Sequence, residues 1–206
     1  RKAKCKNEEH RLAYLTIETF NQSDFSNVVF FDGDMITMGD FSNVFNFSFP
    51  VFGSRTGEFK NISGPRVKWR TINTGFFGVN MNLISKSTYH DLKSMIDNRL
   101  DTDTGELDQK IINRYFFNQR SPQLLIHHFY NFRDFGANGN GSKKFFLKNK
   151  NRIKVLHFSG YEIRPKPWET KKVLEYELDE HPAYIEWFKV ANNLVEDYPN
   201  LKKVFK

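Results

Sequence analysis

The chain mixes short unbroken apolar runs with longer stretches in which apolar positions recur every three or four residues. "NVVFF" (27–31) and "INTGFFGVNM" (72–81) belong to the first kind, and each predicts a strand buried on both faces. "RIKVLHFSGY" (152–161) predicts a third, ending near a glycine. The second rhythm appears in "NEEHRLAYLTIETF" (7–20), where Leu12, Leu15 and Phe20 predict a helix leading into the first strand. Leu92, Ile96 and Leu100 place another over 85–100. Leu107, Ile111 and Tyr115 place a third over 103–117, where Asp103 and Glu106 resemble a capping box. A last helix opens at Pro182 and offers Tyr184, Trp187, Phe188, Ala191, Leu194 and Val195 for packing.

Between these elements, 41–69 is broken by two prolines and three glycines and reads as a turn, loops and one strand. The glycine-rich 136–144 reads as a mobile loop. Strands alternating with helices give an α/β class, and runs buried on both faces predict a mixed, mainly parallel sheet flanked by helices. The length suits one domain over 1–206, with 181–206 as C-terminal helix and tail.

Composition changes this picture in three places. The unusual number is 22 phenylalanines, whose flat rings fill cores and can also line sugar- or base-stacking clefts; core filling accounts for most of them. A formal charge of +7 favours an anionic partner, and 143–154 holds six Lys or Arg with no acid, reading as a solvated loop. The single cysteine, Cys5, excludes an internal disulfide and a cysteine-rich zinc site, and favours a reducing compartment. A cytoplasmic location is the expectation that fits this single cysteine, and no stretch is long and apolar enough to span a membrane.

The candidate chemistry starts where the first apolar run meets Asp32-Gly33-Asp34. Two carboxylates at the carboxyl end of a strand lie where open α/β sheets place their ligands. Their hard oxygens suit Mg²⁺ or Mn²⁺, and Gly33 allows a tight or unusual backbone and close approach of a ligand. A second Asp-x-Asp, Asp101-Thr102-Asp103, lies in a polar stretch and is explained as a helix cap. Near the end of the third run, His157 adds an imidazole, which favours Mn²⁺ over Mg²⁺. Gly160 leaves backbone N–H groups open to phosphate oxygens, and Lys166 offers a mobile charge for the same anion.

The ordered series "FFDGDMI", "INTGFFGVN", "ELDQKIINRYF", "LHFSG" and "KPW" resembles glycosyltransferase family 8, across roughly residues 10–168. The resemblance implies a GT-A-type fold. It also implies a retaining, Mn²⁺-dependent transfer of hexose from UDP-glucose or UDP-galactose to a glycan or glycolipid. By the same resemblance Asp32, Asp34 and His157 would hold the metal, with Gly33 beside the ribose. Gly160 and Lys166 would hold the diphosphate, and Asn73 and Thr74 would contact the donor sugar. Asp108 would bond sugar hydroxyls, and Gln109 would sit near the anomeric carbon.

Three departures stand out. Where the family often carries Arg or Lys before the Asp-x-Asp strand, this chain has Leu15 and Thr16. Arg164-Pro165 lengthens the spacing from His157 to Lys166, so that Arg164 is an alternative to Lys166. Only 31 residues precede Asp32, which implies an incomplete N-terminal nucleotide-binding portion.

Two other functions compete. One is a non-catalytic sugar-nucleotide or glycan-binding relative. The other is nucleic-acid binding through 143–154, which is not expected because it leaves the ordered motifs unexplained. The same basic run makes peripheral association with an anionic membrane an expectation.

Overall fold

A computed structural model describes residues 8–55, 71–98, 107–118, 123–133, 143–158, 166–168 and 182–203. The chain divides into two compact units, residues 1–32 with 42–127, and residues 33–41 with 128–206.

The first unit holds a four-stranded sheet in the order β1-β4-β3-β5. These strands are β1 (Asn27–Phe31), β3 (Val51–Arg55), β4 (Ile72–Asn80) and β5 (Gln123–Ile126). β4 lies inside the sheet and is buried almost throughout, as its apolar run requires. β1 is half-buried and runs antiparallel to β4, with Phe31 opposite Phe76. β3 runs antiparallel to β4 on its other edge and parallel to β5. Gly78 of β4 sits between Val29 and Phe52, and the tip of the Phe52 ring lies against it. A methyl at Gly78 would come within 2.1 Å of that ring, so only hydrogen fits.

Three helical segments complete this unit's core. Glu8–Asn21 is a 3-10 helix, in which Tyr14, Ile17 and Phe20 are buried at intervals of three. That spacing is the period of a three-residue turn. The expected face included Leu15, which is instead 57% exposed; the 3.6-residue period assumed for it was the wrong one. Helix α1 (Lys86–Asp97) is capped by Ser85, whose hydroxyl accepts the Thr88 N–H at 3.1 Å, and buries Leu92 and Ile96 as expected. Helix α2 (Leu107–Asn118) buries Ile111, Ile112, Tyr115 and Phe116. Phe20 packs against both Phe77 of β4 and Phe116 of α2, tying helices to sheet.

The second unit holds a three-stranded sheet in the order β2-β7-β6, from β2 (Met35–Thr37), β6 (Phe132–Arg133) and β7 (Val155–His157). β2 is antiparallel to β7 and β6 is parallel to it. Helix α3 (Lys143–Asn149) and helix α4 (Pro182–Asp197) join this core. Phe129, Phe132, Phe146, Ile153, Leu156 and Tyr184 fill it.

Two expectations are corrected here. The basic run 143–154 is not a solvated loop: it begins as α3 and buries Phe146, Asn149 and Ile153 while Lys144 and Lys148 face outward. The lysines report only its outer face. Among the described residues, three of the five strand pairings are antiparallel, so the sheets are mixed but not mainly parallel. An apolar run reports burial on two faces and carries no information about the direction of its neighbours. On α4, Tyr184 and Ala191 are buried as expected, but Leu194 is 40% exposed. No helix among the described residues is long and apolar enough to cross a membrane.

Candidate active site

The β2–β7 register places Met35 opposite His157, which brings Asp34 to the end of β7. The Phe158 N–H donates to the Asp34 carbonyl at 2.9 Å and fixes this corner. Asp34 Oδ1 lies 3.1 Å from His157 Nε2, and its Oδ2 accepts from Lys166 Nζ, also at 3.1 Å. Lys166 donates as well to the Phe158 carbonyl. Burial alone would raise the Asp34 pKa. The hydrogen bonds and charges of His157 and Lys166 outweigh it and hold the carboxyl below its ordinary value of 3.8.

His157 is buried, and its Nδ1 lies 2.9 Å from Asn131 Oδ1. An amide oxygen can only accept, so Nδ1 carries the proton and Nε2 is the nitrogen turned to the carboxylate. A metal-binding imidazole is oriented in this way by a second partner on its far nitrogen. Asp32, two residues before Asp34, has its N–H bonded to the Gly75 carbonyl at 2.8 Å. Asp32, Asp34 and His157 each present one ligand atom, all within 4.8 Å of one another. Two carboxylate oxygens and one imidazole nitrogen at this spacing could hold a divalent cation.

Gly33 departs from expectation. Its backbone is not left-handed, and a methyl added there would meet nothing within 4 Å. Neither strain nor packing demands glycine in this state.

A second cluster forms where β4 begins and α2 starts. Asn73 Nδ2 donates to Gln109 Oε1 at 2.8 Å, and the Thr74 N–H reaches the same oxygen at 3.4 Å. Asp108 accepts from the hydroxyls of Thr74 and Thr16 and from first-turn amides of α2. Burial nevertheless dominates and raises its pKa. Asn113, one turn along, is buried and clamps the helix to the strand. Its Oδ1 accepts from the Ile72 N–H, and its Nδ2 donates to the Ile72 carbonyl, both at 2.8 Å; Nδ2 also donates to the Gln109 carbonyl at 2.7 Å.

The structure therefore groups Asp32, Asp34, His157 and Lys166, and separately groups Asn73, Thr74, Asp108 and Gln109. Gly160 and Arg164 lie outside the described residues, as do Asp101–Asp103. Asn131 and Asn113 were not anticipated. Asn113 had a faint signal, a polar residue four after Gln109 beside a buried pair of isoleucines; Asn131 had none.

No protein-family model matches this chain, and no curated protein sequence does. Solved structures do. An active-site Gln-to-Glu mutant of LgtC superimposes with a TM-score of 0.61 at 14% identity, over 89% of this chain and 67% of LgtC. The galactosyltransferase LgtC in complex with donor and acceptor sugar analogues gives 0.57 at 15% identity, and this chain spans 62% of its length. A glycosyltransferase involved in glycosylation of the major capsid of PBCV-1 gives 0.52 at 15% identity, over 76% of this chain and 74% of that one. The likeness across these structures is one of architecture: this chain has the GT-A-type α/β fold of glycosyltransferases, with mixed sheets flanked by helices.

Proposed function

We propose that the chain is a retaining, metal-dependent glycosyltransferase of the family 8 type, its 206 residues a single catalytic domain. It moves a hexose from UDP-glucose or UDP-galactose to a glycan or glycolipid. The observation that carries this reading is the convergence of Asp32, Asp34 and His157 on one point, within a glycosyltransferase fold.

Those three residues would hold Mn²⁺, or Mg²⁺ in its place. The bound cation supplies positive charge against the diphosphate leaving group. Lys166, already beside Asp34, is placed to add its charge to the same anion, with Gly160 amides nearby in sequence. Gly33 leaves open space for the ribose. Asn73 and Thr74 orient the donor sugar, and Asp108 accepts from its hydroxyls.

Retention requires either a covalent sugar adduct or attack from the face that the leaving group vacates. Gln109 suits the first route poorly. Its amide oxygen is uncharged and already accepts from Asn73. The same-face route follows, in which a phosphate oxygen takes the acceptor proton while the anomeric carbon is oxocarbenium-like.

Calorimetric titration of UDP with and without Mn²⁺, on the wild type and Asp34→Asn, tests the reading. Binding that needs both Mn²⁺ and Asp34 is expected. A folded wild type that binds no UDP with Mn²⁺ would overturn it.

A further inference from the structure

The second unit carries a groove that shares Gly33 and Asp34 with the chemistry above and extends from them over an apolar face that the chemistry does not use. It encloses about 270 Å³, and its walls include Met35 of β2, Trp168, and Trp187, Val190 and Leu194 of α4, with Asp34 at one side. The two indole rings stand 6.4 Å apart between centroids and are inclined by 50°, so they form an open cleft. Trp168 and Leu194 are each about two-fifths exposed. The Lys166 ammonium lies 5.6 Å from the Trp168 ring centre, over its face.

We infer that this groove is a subsite for one pyranose ring of the sugar acceptor. The inference rests on the proposed transferase reading and adds to it where the acceptor sits.

Three observations select the occupant. The volume falls below the roughly 300–1,000 Å³ of pockets that enclose drug-sized ligands, which leaves room for about one sugar ring. The lining is amphipathic in the way a pyranose is: indole faces for the C–H face of the ring, and a carboxylate for its hydroxyls. A lone acyl chain would leave the Asp34–Lys166 ion pair facing hydrocarbon. Continuity completes the argument. Asp34 belongs both to the groove and to the candidate metal centre, so a ring held there lies beside the leaving diphosphate.

Saturation-transfer NMR on the full chain, without nucleotide or metal, tests this with methyl glucosides and methyl galactosides as probes. Trp168→Ala and Val190→Glu alter the groove from two elements, and calorimetry of UDP with Mn²⁺ runs in parallel on each protein. The expected result is pyranoside binding in the wild type, weakened about tenfold or more by either variant, the scale of one lost aromatic contact. UDP affinity should stay unchanged in Val190→Glu, whereas Trp168→Ala also takes away the ring beneath Lys166. Pyranosides that bind wild type and variants alike would overturn the inference, as would selective binding of an octyl chain over the free sugar. Loss of UDP binding with pyranoside binding intact would instead sink the transferase reading and leave the sugar subsite standing.

Discussion

Asn113 offers the sharpest test of how the second cluster is held. Asn113→Leu keeps the branched side-chain skeleton but puts methyl groups in place of Oδ1 and Nδ2 and so removes every hydrogen bond the amide makes. The Ile72 N–H has one proton, and Asn113 Oδ1 receives it; the Ile72 carbonyl loses its donor at the same time. A buried polar group left unpaired costs about 1–3 kcal/mol. Two such groups therefore predict a loss of about 2–4 kcal/mol, since some relaxation will spare part of the cost. At roughly 2–4 °C per kcal/mol for a chain of this size, the melting temperature should fall by about 5–15 °C. Urea unfolding followed by circular dichroism reads the free energy directly.

Asn113→Asp adds a control of opposite logic. Its carboxylate can still accept from Ile72 N–H, but it faces the Ile72 and Gln109 carbonyls that Nδ2 formerly satisfied. Burial and those oxygens raise its folded pKa, so this variant should lose stability as pH rises above the ordinary carboxylate range and regain it on acidification. A loss below about 0.5 kcal/mol for Asn113→Leu, within the usual range for surface substitutions, would refute the clamp.

Four other substitutions have defined outcomes. Asp34→Asn should abolish Mn²⁺-dependent UDP binding. Because the folded Asp34 pKa is depressed, wild type should hold a stability advantage above pH 3.8 that disappears as pH falls through the lower folded value, read by thermal melts. Asp108 is the reverse case: its raised pKa makes ionisation costly, so Asp108→Asn should melt higher than wild type at pH 8, lose that gain on acidification, and transfer no sugar. Gly78→Ala should cost about 1–3 kcal/mol or prevent folding, because the Phe52 ring cannot retreat from its buried place against Phe47. Gly33→Ala should leave the melting temperature nearly unchanged, and any weakening of UDP binding in that variant reports a ligand at Gly33.

The parts of this molecule that were legible in its sequence share a cause. α1 and α2 are long enough for burial to impose a period on the residue pattern, β1 and β4 stand out as unbroken apolar runs, and Asp32, Asp34 and His157 drew notice as candidates because each ends or follows such a run. β2 and β6, of three and two residues, are too short to impose any period. Strand direction was misjudged because a buried apolar run looks the same beside parallel and antiparallel neighbours. The 143–154 run misled because its six basic residues were conspicuous, while Phe146 and Ile153, whose burial places it in the core, break no pattern that a loop would exclude. Asn131 and Asn113 act through contacts 26 and 41 residues away in sequence, and no local pattern records such a partner.

The ion pair between Lys166 and Asp34 bears on how the protein can be handled. A centre whose acids faced one another bare would need its cation to fold, as small zinc domains do. Here the Lys166 ammonium already pairs with Asp34 from within the chain, so a cation bound there would be a reagent and not a staple. Protein purified in chelator should keep its fold and its melting profile. Adding Mn²⁺ alone should then restore nucleotide binding without any refolding step.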